Sequence, residues 1–201
     1  MIAIIDYGAG NIKSLQFALA KLNKESILTT DPQVIKDAAS IILPGVGAFK
    51  DAMDAINELG LTDVIKQEVQ SGKPILGICL GMQLFYDKSY EDGEWEGLGL
   101  LRGNVSRIKE QVKVPHMGWN TIAKRAESPL TLNLTDNFYV YFVHSYAVEK
   151  LEEATLVGST EYGGRVPAIV QQGNITGMQF HPEKSGDIGI QLLANYEEMI
   201  S

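Results

Sequence analysis

The segment Lys73-Pro74-Ile75-Leu76-Gly77-Ile78-Cys79-Leu80-Gly81-Met82-Gln83-Leu84-Phe85-Tyr86 constrains the fold more than any other stretch of the 201-residue chain. Its apolar run after Lys-Pro reads as a buried strand, and the apolar residues beyond Gly81 fall at helical spacing. The spacing predicts a sharp turn from strand into helix at Cys79, with the helix running to about Lys88. Gly77 and Gly81 flank the cysteine as G-x-C-x-G, the thiol counterpart of G-x-S-x-G, where small neighbours permit a strained turn that pushes a nucleophile out of the sheet. The N–H groups of the helix that begins there point at the sulfur and favour thiolate. A lone cysteine is otherwise a small buried packing group. The paired glycines argue against that, because packing needs no tight turn.

A thiolate nucleophile needs a base, and the chain holds three histidines, His116, His144 and His181. His181 lies in Met178-Gln179-Phe180-His181-Pro182-Glu183, just past an apolar strand-like run. Pro182 biases His181 towards an extended backbone, where residues two apart point to the same side. Glu183 can then accept from one ring nitrogen and fix the tautomer, while the other nitrogen takes the cysteine proton. Without the cysteine turn, His-x-Glu would read as a surface pair after a strand. With it, the expected catalytic group is Cys79, His181 and Glu183.

A composition of 45% hydrophobic and 21% charged residues fits an ordinary soluble protein, and the length suits a single domain over 1–201 with a sizeable core. No apolar run approaches the roughly 18 residues of a membrane span. The start, Met1-Ile2-Ala3-Ile4-Ile5-Asp6-Tyr7, resembles a first strand more than a secretion signal, so a cytoplasmic location is expected. One cysteine allows no internal disulfide, and three scattered histidines offer no zinc spacing, so neither metal nor cofactor is expected. A net charge of −8 argues against nucleic acid as a partner.

In chain order, residues 2–6 read as a strand, followed by Asp6-Tyr7-Gly8-Ala9-Gly10-Asn11 and a helix marked by Ile12, Leu15, Leu19 and Leu22. The Gly-x-Gly loop lacks the third glycine of a dinucleotide fingerprint, and Asn11 reads as a helix cap. A strand at 26–30, a helix from Pro32 to about Asp37 and a buried strand at 40–43 continue a β-α-β-α-β order. That order points to a parallel sheet with helices on both faces. Pro44-Gly45-Val46-Gly47-Ala48-Phe49 leaves backbone amides uncovered at a strand end, which suits an oxyanion hole, an anion nest or a plain tight turn equally. Helices are expected at 49–58 and 62–71, and Ser89-Tyr90-Glu91-Asp92-Gly93-Glu94 reads as an exposed loop.

Beyond Leu98 short β-branched and aromatic runs predict strands at about 104–109, 119–124, 138–146, 154–160, 167–172 and 175–180, extending the sheet antiparallel before a last amphipathic helix. Pro115-His116-Met117-Gly118-Trp119-Asn120 reads as a Gly-containing turn whose Trp and Met are either a folded-back core plug or an interface anchor. Spacing alone leaves both open.

These residues resemble the class I (triad) glutamine amidotransferases over essentially the whole chain. The class-level likeness rests on Pro44-Gly45-Val46-Gly47, Gly77-Ile78-Cys79-Leu80-Gly81-Met82-Gln83 and Phe180-His181-Pro182-Glu183. Within the class, Asp6-Tyr7-Gly8-Ala9-Gly10-Asn11, 115–120, Tyr141-Phe142-Val143-His144-Ser145-Tyr146 and Pro182-Glu183-Lys184-Ser185 resemble the glutaminase subunits of imidazole glycerol phosphate synthases. The resemblance implies an open, mostly parallel flavodoxin-like α/β sheet extended by antiparallel strands. It implies glutamine as substrate, hydrolysed to glutamate and ammonia, and a cyclase subunit of (β/α)₈ barrel fold as heterodimer partner in histidine biosynthesis. It also implies Leu80 with Val46 and Gly47 as oxyanion donors, and Gln83, Ser145 and Tyr146 as holders of the substrate's amino acid end. His116, Met117, Trp119 and Lys184 are expected at the partner surface. The competing readings are another amidotransferase glutaminase, a free-standing cysteine hydrolase on the same fold, and a silent binding module in which Cys79 merely packs.

Overall fold

Ile2, Ala3, Ile4 and Ile5 are all buried, and they form β1 (Ile2–Ile5) in the interior of the main sheet. Alternate residues of one strand feed two cores: Ala3 and Ile5 join Ile41, Leu43, Phe49 and Ile65, while Ile2 and Ile4 join Leu15, Leu19, Ile42 and Leu192. Period-two alternation with both faces covered explains why these strands read as continuous apolar runs. The computed structural model describes residues 1–8, 12–109 and 111–200. The expected Gly-x-Gly loop and the Asn11 cap lie in part outside the described residues, which omit Ala9, Gly10 and Asn11.

The first half follows the expected alternation. After β1 come α1 (Ile12–Lys21), β2 (Ser26–Thr29), α2 (Pro32–Asp37), β3 (Ser40–Leu43), α3 (Phe49–Glu58), α4 (Leu61–Gln70), β4 (Ile75–Ile78) and α5 (Leu80–Gln83). Helix α2 starts where the Asp31 carboxylate accepts from the Gln33 N–H at 2.8 Å with Pro32 in the first turn. Helix α5 is one turn long, shorter than the helix to Lys88 that the apolar spacing predicts. The carbonyls of Leu84, Phe85, Tyr86 and Asp87 are taken instead by the N–H groups of Leu98, Leu100, Leu101, Gly99 and Gly97. A distant segment thus replaces the helix's own next turn.

The second half comprises β5 (Lys88–Ser89), β6 (Trp95–Glu96), β7 (Asn104–Arg107), β8 (His116–Lys124), β9 (Asn137–His144), β10 (Tyr146–Glu149), β11 (Leu156–Glu161), β12 (Arg165–Gln172), β13 (Ile175–Met178) and α6 (Gly186–Met199). The main sheet has the order β2-β1-β3-β4-β13-β12-β11-β8-β9. Its first five strands run parallel, and β12, β11, β8 and β9 extend it antiparallel. This is the expected fold class.

Three further features differ from expectation. A second sheet, β10-β7-β5-β6, lies outside the sequence reading, and Ser89 in the supposedly exposed polar loop is fully buried in it. The single strand expected over 138–146 divides at Ser145, where the chain crosses from the main sheet into the second. The 115–120 segment is mostly strand: β8 begins at His116 and pairs with β9 in the register His116↔His144, Trp119↔Tyr141. Among the described residues no helix is long and apolar enough to cross a membrane.

One consequence of the strand order positions the chemistry. β4 and β13 are parallel neighbours, with Gly77 opposite Gly177 and Ile78 opposite Met178. Their carboxyl ends therefore deliver Cys79 and His181 to the same edge of the sheet.

Candidate active site

Cys79 joins β4 to α5 with φ 54 and ψ −111, a strained backbone for a residue with a side chain. The surroundings hold it there: its N–H donates to the Met178 carbonyl at 2.7 Å, and its own carbonyl accepts from Met82 at 3.1 Å and Gln83 at 3.3 Å. A Cβ at Gly81 would lie 1.7 Å from the Leu43 carbonyl oxygen, and one at Gly77 would lie 2.6 Å from the Phe85 ring. Both flanking positions are closed to any side chain. The sulfur lies 3.7 Å from the Val143 carbonyl, and Gln179 Nε2 donates to it at 3.8 Å.

His181 is buried and clamped to β9. Its N–H donates to the Tyr141 carbonyl at 3.0 Å, while Ser185 Oγ accepts from the Tyr141 N–H at 3.0 Å and donates to the His181 carbonyl at 2.7 Å. His181 Nδ1 sits 2.8 Å from Glu183 Oε1. A carboxylate only accepts, so Nδ1 carries the proton and Nε2 is the nitrogen free to exchange one. Burial opposes charge on this ring, but attraction from Cys79 and Glu183, together with the Glu183 hydrogen bond, outweighs it, and the imidazole is pushed up to about 9. The backbone route differs from the expectation: His181 is extended, but Glu183 belongs to a 3₁₀ turn, Pro182–Lys184.

A cleft beside the sulfur is lined by Val46, Gly47, Cys79, Leu80, Gln83, Glu91, Pro115, Val143, His144, Ser145 and Tyr146. It brings together the residues expected as oxyanion donors and substrate holders. Gln83 Nε2 donates to the Tyr146 carbonyl and to Gln179 Oε1, both at 2.9 Å. The Leu80 N–H donates to the Gly45 carbonyl at 3.3 Å, so it is engaged within the protein and not offered to the cleft. A smaller cavity, sharing Val46, is bounded by His181, Glu183 and Lys184.

Of the four residues expected on a partner surface, Met117, Trp119 and Lys184 are exposed, Met117 at 62% and Trp119 at 56%. His116 is not. Alternation along β8 turns it inward, 3% exposed, where it stacks between Phe142 and Tyr162 at centroid distances of 4.5 and 3.9 Å.

Sequence reasoning missed Glu91, Gln179, Tyr7 and Ser185. Glu91 sits in the polar stretch taken for an exposed loop, yet its Oε2 accepts from the Phe49 N–H at 2.6 Å and it borders the cleft. Burial raises its carboxyl, with the Phe49 N–H pulling the other way. The Tyr7 hydroxyl donates to the Pro44 carbonyl at 2.5 Å and anchors the glycine loop from behind; burial, and then the charge at Cys79, push that hydroxyl up. Glu91 left no local signal, whereas Gln179 and Ser185 flank the His181 motif and were within reach.

Comparison with known proteins gives concordant matches. The family model described as glutamine amidotransferase class-I matches residues 3–196. The chain is 70% identical over 200 residues to the imidazole glycerol phosphate synthase subunit HisH of Oceanobacillus iheyensis, covering all of both chains. It is 50% identical to the protein of that name from a Geobacillus species, covering 100% of this chain and 97% of the relative. Among solved structures, a glutamine amidotransferase superposes with a TM-score of 0.79 at 19% identity, covering 99% of this chain and 98% of the other. PurLQS from Thermotoga maritima gives 0.76 at 20%, covering 100% and 98%.

Proposed function

The chain belongs to the class I glutamine amidotransferases, and from that premise we propose that it is the glutaminase subunit of an imidazole glycerol phosphate synthase, acting in the cytoplasm as one unit over 1–201. The observation that carries this reading is the arrival of Cys79 and the Glu183-oriented imidazole of His181 at the carboxyl ends of the parallel neighbours β4 and β13, with the sulfur opening onto a cleft that Gln83 and Tyr146 also line. Glutamine enters with its side-chain amide at the sulfur.

Cys79 attacks the amide carbon, and the carbonyl oxygen becomes an oxyanion. His181, charged and oriented through Nδ1, gives its Nε2 proton to the departing nitrogen, so that C–N cleavage releases ammonia and leaves a γ-glutamyl thioester. Water then attacks the thioester with His181 as base, which releases glutamate and restores the thiol. The oxyanion is held by the Leu80 N–H and an N–H of Val46 or Gly47. For Leu80 to serve, the Gly45 carbonyl has to turn away from it, which makes the isolated chain a poor catalyst. Glu91, with a carboxylate on the cleft, faces the substrate's ammonium group, and the Ser145-Tyr146 backbone with Gln83 holds its carboxylate end.

The ammonia passes to a cyclase subunit of (β/α)₈ barrel fold in a heterodimer. The outward side of the β8–β9 pair supports a docking role, because Met117, Trp119 and Tyr139 are all exposed there. It also favours a subunit over a free-standing hydrolase. The test is reaction of the chain with 6-diazo-5-oxo-norleucine, an electrophilic glutamine analogue, followed by mass mapping. The reading predicts one adduct, on Cys79, slowed by added glutamine; an unmodified Cys79 contradicts it.

A further inference from the structure

His116 and His144 face each other across β8 and β9, and neither belongs to the triad. Asn120 Nδ2 lies 3.2 Å from His116 Nε2, His116 Nδ1 lies 2.9 Å from His144 Nε2, and His144 Nδ1 lies 2.8 Å from the Tyr146 carbonyl. The last contact orders all the others. A carbonyl oxygen only accepts, so His144 carries its proton on Nδ1 and, as a neutral ring, accepts at Nε2. His116 must then donate from Nδ1, which leaves its Nε2 to accept from the Asn120 amide; that amide also donates to the Glu161 carbonyl at 3.3 Å. Every donor in the chain points towards Tyr146.

Burial depresses both rings to about 4, so both stay neutral and the order is kept at neutral pH. The stack on Phe142 and Tyr162 keeps the His116 ring from turning. At the far end, the Tyr146 carbonyl receives a second hydrogen bond from Gln83 Nε2 at 2.9 Å, and both residues line the cleft.

Resting on the glutamine reading of that cleft, we propose that His116 and His144 are positioning residues for the substrate: their ordered hydrogen-bond chain fixes the Tyr146 carbonyl, and through it Gln83, where the amino acid end of glutamine binds. This accounts for a buried imidazole at 116, where an apolar ring would pack as well.

His116→Phe keeps the stacked ring but removes the donor, whereas His116→Asn keeps an N–H near the Nδ1 position. Both are compared with the parent in the rate of Cys79 alkylation by 6-diazo-5-oxo-norleucine and by iodoacetamide, which needs no glutamine pocket. In His116→Phe the glutamine analogue should react about 10-fold more slowly, as losing a buried hydrogen-bond partner implies, while iodoacetamide reacts as with the parent. His116→Asn should recover much of the loss. Nitrogen-15 NMR of the parent should show His116 and His144 both protonated on Nδ1. Equal analogue rates in His116→Phe and parent, or either ring protonated on Nε2, overturn the proposal. Should His116→Phe not fold, the Asn variant's analogue rate and the parent's tautomers decide. If the parent itself reacts no faster with the analogue than with iodoacetamide, the glutamine reading of the cleft fails, and this inference fails with it.

Discussion

His181 Nδ1 and Glu183 Oε1 are 2.8 Å apart, and both side chains are more than nine-tenths buried. A proton held between groups so removed from water fixes the tautomer of the imidazole and strongly favours its charged form.

The pH dependence follows in sign. The ring is raised from 6.5 to about 9, so its contribution to stability is fully present below 6.5 and is lost as pH rises through about 9. Turnover should fall along an alkaline limb near 9, where the acid that protonates the departing nitrogen disappears. Glu183→Gln, which removes the carboxylate, should move that limb to lower pH and flatten the stability loss between 6.5 and 9. Melting curves and rate profiles across that window check both; an unmoved limb means that Glu183 does not act on His181.

Gly81→Ala should be among the most damaging small substitutions in the chain. Its Cβ would meet the Leu43 carbonyl oxygen at 1.7 Å, a backbone atom of a buried strand that has no room to retreat. Overpacking of this kind costs about 1–3 kcal/mol or more. Urea unfolding should show a clear drop in midpoint, and an unchanged midpoint would mean that α5 and β3 separate freely.

Gly47→Val should act on the chemistry more than on stability. Gly47 has φ 110 with open space around its missing side chain, so the cost of valine is in the backbone of the loop. An oxyanion donor works in the transition state, and losing one lowers turnover about 10²–10³-fold. Steady-state kinetics of the assembled enzyme should show a fall in kcat with little change in KM for glutamine. A parental kcat removes this loop from the mechanism.

Trp119→Ala should leave the fold intact, since the indole is 56% exposed and the Tyr141 ring beside it lies at a centroid distance of 6.0 Å. Exposed substitutions of this kind usually stay within about 0.5 kcal/mol. Its effect should fall on association with the cyclase, where aromatic anchors commonly cost more than 2 kcal/mol on truncation. Titration calorimetry separates the outcomes: binding as tight as the parent's takes Trp119 off the partner surface.

The parallel half of the sheet was readable because β1, β3 and β4 are buried on both faces and α2 carries its own cap at Asp31. Cys79 and His181 were readable for a related reason: the glycines and Pro182 that shape their turns are adjacent in sequence. What escaped depends on distant partners. Helix α5 stops after one turn because residues 97–101 capture the carbonyls of 84–87. Ser89 is buried by a two-residue strand that exists only through pairing with β6 and β7. The 115–120 stretch looked like a turn because it holds Pro115 and Gly118, yet its pairing with β9 makes most of it a strand and turns His116 inward. Period two says that His116 and Met117 face opposite ways, but only the neighbouring strand says which of them is inside.

On the proposed mechanism Cys79 serves ammonia release and nothing else, and the direct measurement compares two nitrogen sources in one variant. Cys79→Ala is assembled with the cyclase, and product formation is followed first with glutamine and then with ammonium salt. Essentially all glutamine-dependent turnover should be lost, while ammonium-dependent turnover stays at the parental level. Appreciable product from glutamine in that complex would contradict the mechanism.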